Sequence, residues 1–293
     1  MLVSVFDPVN SWEMHLRRLF EVRTGEALES MILGVSDHSS FELSLERFLD
    51  FASKLTVDAV ELKLDRLELL STLSKPAELP GVKSLLSSYD FRYIVHAPSI
   101  DVNLASLNSR VRSASEETIL KATNFASEIG ADMLVSHVGR LSRDYPRKLV
   151  EKSMRNAVNS LKTLVRASNE LGITFTVEND HKSSDQSLSA NPEQVEFIIK
   201  NVGCKLTFDV GHANTLGKIN EFLKLDRLIG NVHLHDNNGA KDEHATIGKG
   251  SIDFSNMFRK MKKLRNATPL IIECHSLAGL KQGVEFVRHS SLV

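Results

Sequence analysis

The feature that most constrains this chain is a regular alternation of short β-branched runs with longer amphipathic runs, which begins at Met31. Such alternation is typical of repeated βα units around a parallel sheet. Eight strands are predicted: Ile32–Ser36, Ala59–Leu64, Arg92–His96, Met133–His137, Ile173–Glu178, Lys205–Asp209, Asn231–His235 and Leu270–Glu273. The helical patterns between them are Leu43–Lys54, Leu67–Leu73, Arg112–Glu128, Arg147–Leu171, Pro192–Asn201, Ile219–Leu225, Asn256–Leu264 and Leu277–Arg288.

The number of βα units favours a closed barrel over an open sheet. Eight units in about 260 residues approach the usual size of a (β/α)8 TIM barrel, about 250 residues. A doubly wound open sheet usually has fewer strands, and no G-x-G-x-x-G motif follows the first strand here. We therefore predict an α/β protein with a TIM barrel over residues 31–293 and an N-terminal extension over residues 1–30, in which Trp12 to Arg23 could form a helix.

Composition and charge exclude several other classes of protein. Hydrophobic residues at 42% and charged residues at 25% are ordinary for a globular chain and argue against disorder. The formal net charge of -1 provides no overall field that would attract nucleic acid or an anionic membrane. Neither a signal peptide nor an apolar run of membrane-spanning length is found, which predicts a cytoplasmic protein without a membrane partner. The two cysteines, Cys204 and Cys274, do not suffice for a disulfide framework.

Six consecutive predicted strands, the third to the eighth, end in or beside side chains that can bind a metal ion. These side chains and those of the loops that follow are His96, His137, Glu178, Asp209, His212, His233, His235, Asp242, His244 and Glu273. The C-terminal strand ends of a parallel barrel form one funnel, so these groups should converge. Because clustered carboxylates repel one another when they are buried, the pattern predicts a divalent cation. A His/Asp/Glu ligand set suits Zn²⁺, Mn²⁺, Fe²⁺ or Co²⁺.

Each histidine also has an ordinary structural interpretation. Isolated histidines such as His38 and His289 are more often surface or capping residues than ligands. His181 and His275 lie near the predicted funnel, but neither is among the predicted ligands. His235 shares a strand face with His233, which is equally compatible with supporting a ligand or facing a substrate. Any one strand-end residue could be a paired core group, whereas all six together favour a site.

The ordered motifs resemble the xylose isomerase-like barrel superfamily, which contains sugar isomerases and epimerases as well as endonuclease IV-type enzymes for abasic DNA. The motifs are His96-Ala-Pro-Ser-Ile-Asp-Val-Asn103, Ser136-His137-Val-Gly139, Val177-Glu178-Asn179, Asp209-Val-Gly-His212, His233-Leu-His-Asp236, Asp242-Glu-His244 and Glu273. The resemblance implies a metal site formed by Glu178, Asp209, His233 and Glu273. It also matches the further zinc ligands of endonuclease IV to His96, His137, His212, Asp242 and His244, which implies one to three ions.

Two departures from the endonuclease IV pattern favour the isomerase branch. Ser99 stands where that pattern has a tyrosine, and the loop after the first strand lacks its Gly-Gly and basic-polar run. Val60-Glu61-Leu62 looks more like the second strand of sugar isomerases and epimerases. Binding of a DNA duplex requires several phosphate contacts, which a balanced charge does not favour. Basic residues of the loops could still hold a phosphate or be ordinary solvated charges: Arg140, Arg143, Arg147, Lys182, Lys241 and Lys249.

The predicted function is that of a metal-dependent isomerase or epimerase, which acts on a sugar, sugar phosphate or related polyol through an enediolate. By analogy with the superfamily, Glu178 and Glu273 would remove and return the proton. Residues expected to bind the carbohydrate substrate are Asn179, Lys182, His235 and Lys249. The alternatives are hydrolysis at abasic DNA by a cluster of two or three metals, and a barrel that binds a ligand without turnover.

Overall fold

The computed structural model describes residues 32–261 and 268–290, which form a closed barrel of parallel strands surrounded by helices. The barrel strands are β1 (Leu33–Ser36), β2 (Ala59–Lys63), β3 (Arg92–His96), β4 (Met133–Ser136), β5 (Thr174–Glu178), β6 (Lys205–Asp209), β7 (Ile229–Leu234) and β8 (Leu270–Ile272). The barrel closes because β1 pairs in parallel with both β2 and β8. This architecture confirms the predicted TIM barrel.

Helices follow the barrel strands along the chain. They are α1 (Leu45–Lys54), α2 (Leu67–Ser74), α3 (Leu79–Leu86), α4 (Ser109–Glu128), α5 (Arg147–Glu170), α6 (Pro192–Val202), α7 (Val210–Thr215), α8 (Ile219–Phe222), α9 (Phe254–Met261) and α10 (Leu277–Arg288). The short helices α3 and α7 were not predicted. In α7, Asp209 initiates the helix because its side chain accepts the backbone N–H of His212.

Two predictions fall on residues outside the described part of the chain. The N-terminal extension over residues 1–30 lies there, and so does the end of the helix predicted for Asn256–Leu264. Among the described residues, no helix has the length and apolar character needed to cross a lipid bilayer.

Local sequence signals explain where the helices begin and end, as α6 illustrates. Asn191 and Gln194 form a capping box at its N-terminus, and Pro192 occupies the first turn, where a missing N–H costs nothing. The helix ends at Gly203, whose left-handed φ of 84° is easily adopted by glycine.

The barrel interior changes from apolar to polar toward the C-terminal ends of the strands. An apolar cluster includes Ile94, Met133 and Ile271, whereas the larger core lies on the other side of the strands. Further along the strands, the buried hydroxyls of Thr176 and Thr207 lie 2.6 Å apart. Because side chains alternate along a strand, every second residue points into the barrel. These inward residues are apolar near the start of the strands and titratable at their C-terminal ends.

Candidate metal centre

The C-terminal end of the barrel brings together titratable side chains in three groups, each with ligand atoms within 4.8 Å of one another. The central group comprises Glu178, Asp209, His233 and Glu273. The rim group comprises His96, His137 and Glu178, and the loop group comprises His212, His235, Asp242 and His244. Every ligand predicted from the sequence belongs to one of these groups. His235, which was predicted to bind substrate, is a further member.

In the central group, one imidazole nitrogen faces three carboxylates. His233 Nδ1 lies 2.9 Å from Glu273 Oε2, 3.2 Å from Glu178 Oε1 and 3.7 Å from Asp209 Oδ2. The other ring nitrogen, Nε2, lies 2.8 Å from Glu61 Oε2. When Nε2–H donates to Glu61, the Nδ1 lone pair faces the carboxylates, which is how proteins orient a metal-binding histidine.

The electrostatics of the central group favour a bound cation. Burial lowers the pKa of His233, but the carboxylates of Glu61 and Glu178 outweigh burial and raise this pKa to about 10. Without a metal ion, a proton on the imidazole would therefore balance part of the acidic charge at neutral pH. A divalent cation could replace that proton.

The rim group adjoins the central group through Glu178. Glu178 Oε2 lies 3.1 Å from His96 Nε2 and 3.2 Å from His137 Nε2, while Oε1 faces His233. His96 Nδ1 lies 2.8 Å from the carbonyl oxygen of Ala97, to which it can donate. Burial raises the pKa of Glu178, but His137 and His233 hold it well below its ordinary value. Glu178 is therefore an ionised carboxylate shared by two groups.

The loop group combines His212 of α7 with three residues that follow the end of β7, namely His235, Asp242 and His244. Asp242 Oδ2 lies 3.2 Å from His212 Nε2 and 3.1 Å from His244 Nε2. His212 Nδ1 is 2.8 Å from the Asn179 carbonyl oxygen, and His244 Nδ1 is 2.9 Å from the Glu273 carbonyl oxygen. Both rings can donate through Nδ1, so both present Nε2 to Asp242.

The loop that carries Asp242 and His244 is held by a buried carboxylate. Asp236 accepts the backbone N–H groups of Asn237, Gly248 and Gly250, each at 2.9 Å. These contacts span residues 237–250 and close the loop on itself. Asp236 therefore fixes the position of two loop-group residues without belonging to the group.

A buried oxygen without a partner favours a divalent metal in the loop group. Asp242 Oδ1 is buried and has no hydrogen-bond partner among the described residues. A buried ionised oxygen without a partner costs about 1–3 kcal/mol or more. The donors are nitrogen and oxygen atoms, a set that suits Zn²⁺ and neighbouring transition metals. The residues present are thus compatible with the predicted metal.

A pocket of about 400 Å³ opens above the groups. Lys63, at the end of β2, lines this pocket and forms an ion pair with Glu273. Arg140 also lines it, and its guanidinium contacts both carboxylate oxygens of Asp180 at 2.6 and 2.8 Å. Burial raises the pKa of Asp180, but Arg140 and His137 lower it to about 2. The pocket therefore contains two cations that are already paired with carboxylates.

Four imidazole rings stack in a column beside the pocket. Two of them, His235 and His244, belong to the loop group. The ring centroids of His235 and His244 lie 3.9 Å apart, and those of His244 and His275 lie 4.1 Å apart. His38 stacks on His275 at 4.1 Å. Burial, as the largest cause, lowers the pKa of His38 and His244 to about 4 and that of His275 to about 3. These three rings are neutral at pH 7.

The residues expected to bind substrate have different positions. His235 is buried. The Asn179 side chain forms two hydrogen bonds with the backbone of β6: it donates to the Asp209 carbonyl oxygen and accepts the Asp209 N–H. Lys182 and Lys249 are exposed and do not belong to the described pocket lining. Their role in substrate binding stays a prediction.

Sequence reasoning missed several functional candidates in and below the pocket. Glu61 and Lys63 lie two residues apart on β2, and this spacing could have indicated that both point into the barrel. His38 does cap the turn at Ser39–Phe41, as an isolated histidine was expected to do, but it also lines the pocket. No sequence signal predicts the stacking of His38 on His275, because both follow strands as loop residues.

Comparison with known proteins identifies the family. The profile of the xylose isomerase-like TIM barrel family matches residues 49–290, which is most of the chain. The chain therefore belongs to this family. Its fold and the position of its titratable groups at the C-terminal strand ends agree with that membership.

Individual relatives point in two functional directions. A crystal structure of a D-tagatose 3-epimerase-like protein matches with a TM-score of 0.79 and 30% identity, covering 88% of this chain and 96% of that protein. The uncharacterized protein MJ1614 of Methanocaldococcus jannaschii is 34% identical over 234 residues, 76% of this chain and 90% of the relative. A protein named probable endonuclease 4 of Mycobacterium leprae is 28% identical over 206 residues, 67% of this chain and 78% of the relative.

Proposed function

We propose that this protein is a metal-dependent isomerase or epimerase that acts on a sugar, sugar phosphate or related polyol. The observation that carries the proposal is the pair Glu178 and Glu273, whose carboxylates lie 3.2 and 2.9 Å from the same nitrogen of His233 below the pocket. Two carboxylates beside the same substrate carbon could remove a proton from it and return one to it. The similarity to a D-tagatose 3-epimerase-like protein supports this choice.

The pocket has the size expected for a small substrate. Its volume of about 400 Å³ lies near the lower end of the range of ligand pockets, roughly 300–1,000 Å³. A single monosaccharide fits such a volume. The pocket is lined by polar groups such as His137, Arg140 and Lys63, which can form hydrogen bonds with hydroxyl groups.

The two proposed catalytic carboxylates approach from different sides of the barrel. Glu178 ends β5 and Glu273 follows β8, with β6 and β7 between these strands. The low pKa of Glu178 keeps it ionised and able to accept a proton, but it also makes this carboxylate a weaker base than an ordinary glutamate. One carboxylate would take the proton beside the substrate carbonyl, and the other would deliver a proton to the opposite face of the same carbon. A divalent metal held by the central group would supply polarisation of the carbonyl and orientation of a neighbouring hydroxyl group.

A second candidate is hydrolysis of a phosphodiester at an abasic DNA site. The sharing of Glu178 by the central and rim groups favours it, because a bridging carboxylate suits a cluster of two or more metals. The similarity to a protein named probable endonuclease 4 supports the same candidate. Either activity would require a metal in the central group.

We rank DNA hydrolysis second because four basic residues in or near the pocket already have protein partners. Arg140 is paired with Asp180, Arg147 lies 2.9 Å from Glu151, and Lys63 is paired with Glu273. Arg143 donates to the Ser184 carbonyl oxygen at 2.9 Å. Paired cations attract a phosphate backbone less strongly than free ones, and duplex binding depends on several such contacts.

The deciding experiment offers both substrate classes to the same metal-reconstituted protein. We expect interconversion within a panel of ketoses and ketose phosphates, and no incision of a duplex with one abasic site. Glu178→Gln and Glu273→Gln should each abolish the interconversion, with metal content measured in every preparation. Glu285→Gln is the matched control, since this glutamate is exposed on α10 and belongs to none of the three groups. Incision without any sugar conversion would contradict the proposal, and full activity of either site variant would remove that residue from the mechanism.

A further inference from the structure

Helix α5 carries basic side chains that the candidate metal centre does not use. Within Arg147–Glu170 there are six basic and two acidic residues, a formal charge of +4 in a chain of net charge -1. We propose that the outer face of α5 is a docking surface for the phosphate backbone of duplex DNA, which binds there without regard to base sequence. The proposal does not rest on the proposed function, because no residue of α5 belongs to the three groups or lines the pocket.

The spacing of the basic residues places five of them on one side of the helix. Since an α-helix has 3.6 residues per turn, steps of three and four residues keep side chains on one face. The residues that follow these steps, with Asn159 at the one uncharged position, form the basic row: Lys148, Lys152, Arg155, Lys162 and Arg166. Its ends are five turns apart, a distance of about 27 Å at a rise of about 1.5 Å per residue.

The basic row points to solvent because the opposite side of α5 packs on the barrel. Ala157, Leu161 and Leu164 are buried on that side. All five residues of the basic row are exposed. Among the described residues, the ion pair that α5 forms joins Arg147 to Glu151, and both lie outside the basic row. The five cations are therefore available to an external partner.

A row of unneutralised cations destabilises the helix that carries it. Like charges three or four residues apart lie close together on a helix and repel each other, as Lys148 and Lys152 do. On the neighbouring α4, by contrast, Lys121 lies 2.7 Å from Glu117 at the same spacing. The repulsion within the basic row is relieved when an anionic partner lies along it, so binding of such a partner is favoured.

The neighbouring helices determine which anionic partner fits the basic row. Helix α5 packs between α4 and α6, which carry the exposed carboxylates of Glu117, Glu128 and Glu193. A broad anionic surface such as a lipid bilayer would contact all three helices and meet these carboxylates, whereas a duplex can lie along α5 alone. Helices that bind membranes also present apolar side chains on the contact face, and the basic row contains none.

Duplex DNA matches the basic row in shape and charge. It is stiff over about 50 nm, so a straight row of about 27 Å can follow it without bending it. It carries one negative charge about every 1.7 Å along its axis, which is enough to neutralise all five cations. Lysine and arginine contacts to phosphates do not read the bases, so we expect non-specific binding with a Kd of about 10⁻⁴–10⁻⁶ M at physiological salt.

The salt dependence of duplex binding tests the proposal. The metal-reconstituted full-length protein is titrated into a short fluorescent duplex without an abasic site, and the anisotropy is followed between about 50 and 200 mM salt. Each phosphate contact contributes about 0.9 to the slope of log K against log salt, so five contacts predict a slope of about −4.5. The double variant Lys152→Gln/Lys162→Gln should reduce the slope to about −2.7 and weaken binding at least about tenfold at 50 mM salt.

The matched control is the double variant Lys54→Gln/Lys224→Gln, which removes the same charge from exposed positions outside α5. It should bind the duplex like the wild type. Equal affinities of the wild type and Lys152→Gln/Lys162→Gln would overturn the proposal, as would unchanged anisotropy of the duplex at 50 mM salt. Binding to phosphatidylserine vesicles through the basic row, without binding to the duplex, would overturn it in favour of a membrane contact.

The outcome is distinguishable from that of the proposed function. The substituted lysines are exposed and lie outside the three groups, so Lys152→Gln/Lys162→Gln should fold and convert sugars at the wild-type rate. Loss of duplex binding with full sugar conversion would support the docking surface. Duplex binding through the basic row by a wild type that converts no sugar would support it as well and would contradict the epimerase alone.

Discussion

Replacing Glu61 by glutamine tests how the barrel interior prepares the central group. Glu61 is fully buried, its Oε2 lies 2.8 Å from His233 Nε2, and its Oε1 accepts the Ser36 hydroxyl at 3.1 Å. Burial raises the pKa of Glu61, but the charge and hydrogen bond of His233 bring it below its ordinary value. Glu61 is therefore ionised, and it would keep a proton on His233 Nε2 when Nδ1 binds a cation.

The effect of Glu61→Gln can be estimated from these contacts. If the new amide nitrogen faces His233, it donates to Nε2 and the proton moves to Nδ1, which can then no longer bind a cation. If the amide oxygen faces His233, the hydrogen bond persists but loses its charge-assisted part, about 1 kcal/mol. Loss of such a supporting contact typically weakens metal binding about 10–100-fold, which corresponds to about 1.4–2.8 kcal/mol.

The assay is a competition titration of the metal-free protein with Zn²⁺ and a coloured chelator. We expect the zinc affinity of the central group, which contains His233, to fall by this factor in Glu61→Gln, while any other zinc site keeps its affinity. Glu46→Gln is the control, because this glutamate is exposed on α1. Equal affinities of wild type and Glu61→Gln at every site would refute the orienting role of Glu61.

Three further substitutions test the supporting structure. Asp236→Ala leaves four backbone N–H groups without their acceptor, so we expect a loss of about 3–4 kcal/mol in urea unfolding and faster proteolysis within residues 237–252. Gly211→Ala should cost about 1–3 kcal/mol because its Cβ overlaps His235, whereas Gly81→Ala, in helix α3 with open space around it, should not lower the melting temperature. Asp180 has a pKa of about 2 against an ordinary 3.8, so its stabilising effect is present above about pH 4 and lost toward pH 2. The stability difference between wild type and Asp180→Asn should therefore shrink over that interval, and a constant difference would contradict this assignment.

The barrel was predictable because the sequence of each parallel strand shows two independent signals, a β-branched composition and an alternation of inward and outward residues. The β-branched runs indicated all eight strands, and alternation indicated which residues point inward, as at Thr176 and Glu178. The convergence of His96, Asp209 and Glu273 followed from topology alone, since the C-terminal strand ends of a closed barrel meet.

The remaining features depend on loop geometry and on contacts between side chains. The pairing of Arg140 with Asp180 joins loops after two different strands, and no periodicity determines which way such side chains turn. The same holds for Lys63, whose partner Glu273 is more than 200 residues away. Helix α7 was missed because its short sequence combines a glycine with the Asp209 and His212 motif, so local helix propensity is weak.

The most direct test of proton transfer at Glu178 and Glu273 is solvent exchange at the substrate carbon. The metal-reconstituted protein is incubated in D₂O with each ketose or ketose phosphate, and the hydrogen beside the carbonyl is followed by proton NMR. We expect this signal to disappear as deuterium enters, and the exchange to be lost in Glu178→Gln and in Glu273→Gln. Retention of the signal with every sugar, while the same preparation cleaves an abasic duplex, would contradict proton transfer at these two carboxylates.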